Sequence, residues 1–144
     1  MLIKIENGQP RRYSFYELRK DNPEVLWPNP MTAEVYADYG VYQCTADPFP
    51  AHDTLTQFVD FDAYYQDENL AWRASYKTEN LPEQDASANI RRERNTLLSA
   101  SDWTQLQDSP VDSAAWAAYR QELRDLPQQA GFPYSVVWPT EPTS

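Results

Sequence analysis

The sequence predicts an α+β protein: a small domain of short antiparallel strands with two short helices over residues 1–86, followed over 87–144 by an α-helical hairpin and an extended aromatic and proline tail. Three observations carry this. Leu70, Trp72, Ala74 and Tyr76 alternate with Arg73, Ser75 and Lys77, as the two faces of a strand do. Trp116, Tyr119, Leu123 and Leu126 recur at helical steps. Twelve prolines against three glycines favour short elements joined by stiff connections, because proline fixes φ and removes a backbone donor.

From the start of the chain, Leu2, Ile3 and Ile5 form one strand and the run to Tyr13 a second, with Asn7-Gly8 between them as the dipeptide a type I′ turn favours. Pro10 places the second strand at an edge. Ser14 and Glu17 read as a capping box opening a short helix to about Asp21, which Asn22-Pro23 ends. Pro23, Pro28 and Pro30 hold the next segment extended. A second helix starts at Thr32, with Met31 and Tyr36 as a hydrophobic staple and Gly40 beyond its end. Val41–Cys44, Leu55–Phe61 and the Leu70–Lys77 alternation supply three more strands.

From Leu81 to Asn89 the composition turns polar without an apolar period, which reads as a linker or helix lead-in, with a domain boundary near Ala86. Ile90, Leu97 and Leu98 then share a helical face, and that helix ends before Asp102. Asp112 is the N-cap of the next helix, which Pro127 stops. Two striped helices and a short connection make a hairpin.

A formal charge of −10 repels phosphate backbones and anionic lipid, so nucleic acid is not the expected partner. No apolar run approaches the length of a membrane span, which predicts no membrane insertion. The N-terminus has no apolar h-region or small-residue cleavage site, and Cys44 is the lone cysteine, so a cytoplasmic protein is expected.

Catalytic chemistry finds few candidates. His52, the single histidine, reads as a solvated loop residue rather than a catalyst, and Cys44 as a small core residue rather than a nucleophile. Asp60, Asp62, Asp67 and Glu68 lack the spacing of a calcium loop and read as a solvated turn. Neither a catalytic residue nor a cofactor or metal site is therefore expected. Taken singly, Trp72, Trp103, Trp116, Tyr119 and Trp138 favour core over contact. For Trp27, Phe49, Phe132 and Tyr134, on proline-flanked segments, packing onto the chain and packing onto a partner both stand.

The run ERNTLLSASDWTQLQDSP followed by AAWAAYRQELRDLPQQAGFPYSVVWPTEP resembles the C-terminal region of the phage tail assembly chaperone family. The likeness is carried by Arg94, Leu97, Leu98, Asp102, Trp103, Thr104, Asp108, Pro110, Trp116, Tyr119, Arg120, Leu123, Arg124, Asp125, Phe132, Pro133, Trp138, Pro139 and Pro142. More loosely, YELRKDNPEVLWP and YGVYQC resemble the front domain of some such proteins, departing from it at YQDENLAW.

The resemblance implies a non-enzymatic assembly factor that acts in the host cytoplasm on a tail-fibre or other tail protein. It also implies that the GFPYSVVWP segment and the Trp103 loop face the partner: Trp103, Phe132, Tyr134 and Trp138 as contacts, with Arg120 and Arg124 pairing Asp102 and Asp125 to orient them. A structural alternative is a subunit retained in the virion, at the fibre tip or baseplate, and contributing to host receptor binding. Hydrolysis of surface glycans, which needs two suitably spaced acids, ranks third.

Overall fold

The structure is a computed structural model and describes residues 1–143. It is a mixed α+β fold with one five-stranded sheet and four helices among the described residues. Two compact units divide the chain, Met1–Ala51 with Val59–Lys77 and His52–Phe58 with Thr78–Ser144, the final residue lying outside the described ones.

In the first unit, β1 (Leu2–Glu6) and β2 (Gln9–Tyr13) form an antiparallel hairpin. Asn7 and Gly8 sit at φ 51° and 78°, the pair of positive values a type I′ turn requires and Asn-Gly supplies at least cost. Ser14 caps α1 (Phe15–Asp21) by accepting from the Glu17 N–H, and donates its hydroxyl to the Glu17 carboxylate at 2.7 Å. Thr32 caps α2 (Ala33–Ala37) by accepting from the Val35 N–H. Gly40, at φ 67°, then turns the chain into β3 (Val41–Ala46).

Two long strands complete the sheet, β4 (Gln57–Gln66) and β5 (Trp72–Asn80), in the order β2-β1-β3-β5-β4. The sequence led us to expect antiparallel strands throughout, but β3 and β5 pair parallel, with Cys44 opposite Trp72 and Ala46 opposite Ala74. The reason is topological. The chain reverses into β4 and again into β5, so β5 regains the direction of β3, and it inserts between β3 and β4. The strand expected from Leu55 begins at Gln57, because Asp53 folds Leu55 and Thr56 into a turn by accepting from both. Leu70 is not in β5: at φ 61° and 73% exposed, it sits in the turn that the Asp67 carboxylate organises by accepting from the Asn69 and Ala71 N–H groups.

Two apolar clusters hold this unit. Tyr13, Leu18 and Val41 gather Leu2, Phe15, Trp27, Met31, Tyr36 and Tyr39. Ile3, Cys44 and Ala74 gather Ile5, Tyr42, Tyr64, Trp72 and Tyr76. Trp27 thus packs on its own chain, 4.9 Å from the Tyr39 ring. Cys44 is a core residue, with burial pushing its thiol pKa up.

In the second unit, α3 (Glu83–Ala100) begins earlier than expected, taking in most of the supposed linker. Ala86, Ser87 and Ile90 are its buried face, and the small side chains of the first two hide the apolar period. Glu83 and Asp85 in the first turn suit the positive end of the helix dipole. The end before Asp102, the Asp112 cap and α4 (Ser113–Asp125) stand where the sequence places them. The connection is longer than a tight hairpin turn, however, running through a 3₁₀ turn at Asp102–Gln105.

Arg73 donates from Nε to the Asp47 carboxylate at 2.9 Å, and Tyr65 donates its hydroxyl to the same group at 2.9 Å. Both hold the Asp47 pKa below the usual carboxylate range. A depressed folded pKa contributes stability present above the unfolded value, near 4, and lost as pH falls through the folded value. The melting-temperature gap between wild type and Asp47→Asn, followed by circular dichroism, should therefore be constant near neutrality and narrow as pH falls below about 4.

Candidate functional site

The second unit carries all six residues expected to face a partner. Its core is Trp116, Tyr119, Leu123 and Leu126 from α4 and the turn after it, with Leu97, Leu98, Val111, Val136 and Trp138 packed around them. Leu123 and Leu126 are fully buried, each contributing about 2–3 kcal/mol of apolar burial.

Arg120 lies on this apolar stripe, one residue after Tyr119, and is buried. Its Nη1 donates to the Leu98 carbonyl at 2.6 Å and to Ser101 Oγ at 2.7 Å, and its Nη2 to the Asp102 carboxylate at 2.7 Å. Leu98 and Ser101 are at the C-terminal end of α3, where carbonyls lack helical partners and a cation opposes the dipole. One guanidinium therefore caps α3, fixes the following turn and bonds both to α4. Thr104, fully buried, closes that turn by donating to the Ser101 carbonyl at 2.7 Å.

On this fixed turn stands Trp103, 48% exposed, its ring 6.2 Å from that of Trp116. Leu106, just past the turn, is 61% exposed. The turn thus presents two large apolar side chains on a rigid frame. Arg124 is exposed in the last turn of α4. Of the two ion pairs the resemblance implied, Arg120 with Asp102 is formed, while the Asp125 carboxylate accepts from the Gln121 and Gln128 amides.

The proline-rich end folds back on the unit instead of standing free. Gln129 brackets it, donating to the Val137 carbonyl at 3.0 Å and accepting from the Val137 N–H at 2.8 Å. Pro133 is fully buried, Trp138 packs on the α4 core, and Phe132 lies under the Arg91 guanidinium at 5.1 Å. Tyr134, 39% exposed, donates its hydroxyl to the Leu81 carbonyl at 2.8 Å. Within the tail, Val137 is the most exposed large apolar residue, at 76%.

The structure thus joins Trp103 to Arg120 through the turn, and seats Trp138 on the α4 core and Phe132 and Tyr134 against α3 and its lead-in. Sequence reasoning missed Leu106, Val137, and the roles of Ser101, Thr104 and Gln129. A usable signal existed for Arg120, since a cation in phase with Trp116, Tyr119 and Leu123 has to find acceptors inside.

These features define a helix-pair module with a folded-back aromatic tail, its exposed apolar side chains held on a fixed frame. Residues 87–143, about two-fifths of the chain, match the family model described as phage tail assembly chaperone protein. No curated protein and no solved structure matches the chain. The match points to a chaperone role in phage tail assembly and to contacts with phage tail proteins. Among the described residues, no helix is long and apolar enough to cross a membrane.

Arg120→Ala should cost about 2–4 kcal/mol in urea unfolding, from lost hydrogen bonds and the cavity left behind. Arg120→Lys should recover only part of it, because an ammonium cannot span the fork of acceptors. Arg124→Ala, at an exposed site, should stay within about 0.5 kcal/mol of wild type.

Proposed function

We propose that the chain is a non-enzymatic tail assembly chaperone that binds a tail-fibre protein, or another distal tail protein, and assists its folding, trimerisation or attachment in the host cytoplasm. The segment 87–144 is the binding module in this reading. The observation that carries it is the set of large apolar side chains, Trp103, Leu106 and Val137, held outside a filled core in the segment that matches the family. A side chain already fixed by its frame loses little entropy on docking, so more of its burial becomes affinity. Exposed aromatic and apolar anchors of this kind are where interface energy concentrates.

A fibre subunit exposes apolar surface and unpaired strand edges until its trimer registers, and such surfaces aggregate. A folded acidic protein that covers them would keep the intermediate in solution, its own charge opposing self-association. Arg124, exposed on the same unit, supplies a cation for acids of the partner, while Phe132, Tyr134 and Trp138 shape the surface from behind by packing the tail.

The test is co-expression of the full chain with the tail-fibre protein of the same phage and recovery of a soluble complex. Wild type should be captured, and Trp103→Ala with Leu106→Ala should weaken capture at least about tenfold at a temperature where circular dichroism shows the variant folded. Equal capture by wild type and double variant would remove these residues from the interface. Mass spectrometry of purified virions separates a departing chaperone, with its peptides absent, from a retained subunit, with its peptides stoichiometric.

A further inference from the structure

The two edges of the sheet are treated differently by the sequence. At one edge β2 carries Pro10, which cannot donate to a neighbour, and Arg11 and Arg12. Proline and cations are the usual guards against pairing with another strand. At the other edge β4 has ten residues and contains no proline, lysine or arginine. It carries Phe61 and Tyr65, both about two-fifths exposed, and the exposed acids Asp60 and Asp62.

The charge is one-sided over a long stretch of sequence that includes β4. Between Asp21 and Trp72 there are ten acids and no lysine or arginine, and elsewhere the other twelve acids balance the 12 cations, so this stretch carries the whole formal charge of −10. Beside the edge is a cavity of about 510 Å³ lined by Phe61 and Tyr64 of β4 with Tyr76, Met1 and Arg12. Phe61 lies 4.6 Å from Tyr64 and 6.4 Å from Tyr76, and Phe49, 67% exposed, meets Tyr76 at 4.7 Å. A free edge, an aromatic cavity next to it and acids along the strand are what recognition by strand addition uses: backbone bonds for affinity, a side-chain pocket and charge for specificity.

We infer that β4 takes an added β-strand from the tail partner, a strand whose lysines or arginines meet Asp60 and Asp62 and which seats one apolar side chain in the Phe61–Tyr64–Tyr76 cavity. The Phe61 N–H is already held by the Asp60 carboxylate at 2.8 Å, so the added strand pairs along Asp62–Gln66. A second copy of this chain is the wrong occupant, because antiparallel pairing of β4 with itself brings the acids of one copy against those of the other, and like charges across strands destabilise. This inference rests on the tail-fibre reading above and adds to it a second contact, outside the family-matched segment.

Hydrogen exchange of the full chain, alone and with the cognate tail-fibre protein, tests it together with Asp60→Lys/Asp62→Lys, at two exposed side chains whose carboxylates accept from the Phe61 N–H and the Ser75 hydroxyl. Slowed exchange at residues 62–66 in the complex is expected, with about tenfold weaker capture by the charge-reversed variant at a temperature where circular dichroism shows it folded. Capture of wild type with no protection at 62–66, or equal capture of the variant, overturns the added strand and leaves the tail-fibre reading intact. No capture of wild type overturns both. If sedimentation shows the chain alone to be a dimer that the variant disrupts or tightens, β4 is a self-interface and the inference falls.

Discussion

The second unit turns on a single buried cation. Arg120 spends its charge on three acceptors that lie at one place, the end of α3 and the turn that follows it. A buried guanidinium is costly unless its donors are met, and here the end of a helix, which needs cations, meets those of Nη1 and Nη2, while Nε has no partner among the described residues. The side of the pair facing water contributes less, since Asp102 is largely exposed and solvent screens it. Most of the effect is geometric: the turn from Ser101 to Gln105 has no freedom to wander, so Trp103 is held in one place. An exposed indole on a floppy loop would lose much of its docking energy to ordering.

The tail serves the same end by a different route. Gln129 satisfies both backbone groups of Val137 with one side chain, which pins an extended segment that has no strand to pair with. The bend between them depends on Gly131. Ser135 donates its N–H to the Gly131 carbonyl at 2.7 Å, and a Cβ on residue 131 would run into the Ser135 carbonyl oxygen, so only glycine fits. With the bend made, Val136 and Trp138 fall on the α4 core and Val137 points out. The aromatic tail is thus partly core and partly surface, and the two roles alternate along it.

Local signals were well legible in the sequence. The Asn7-Gly8 turn, the Ser14 and Thr32 caps, the Asp112 cap and the stripe of Trp116, Tyr119 and Leu123 each depend on residues a few positions apart, so their spacing shows in one dimension. The first turns of α3 were missed because Ala86 and Ser87 bury small side chains that leave no apolar period. The parallel pairing of β3 with β5 was missed because it depends on which strand lies between which, and no residue states that. In the candidate site, residue types pointed to Trp103 and the tail aromatics, yet nothing in the order of residues says that Trp138 faces in and Val137 out. That follows from the Gln129 bracket and the bend at Gly131, which act in three dimensions.

The sheet edges show why sequence charge belongs in a structural account. Crowding ten acids into one stretch adds self-repulsion to the free chain, even though Asp47, Asp53 and Asp67 among them hold an ion pair and two turns. What the charge does is discriminate. It opposes every pairing of β4 with an acidic strand, a second copy of the chain included, and leaves pairing with a basic strand favourable. Pro10, Arg11 and Arg12 close the opposite edge to strands in general, by removing a donor and adding charge. Selectivity at β4 and closure at β2 are therefore separate devices, and only the first leaves an opening that a partner of the right charge can use.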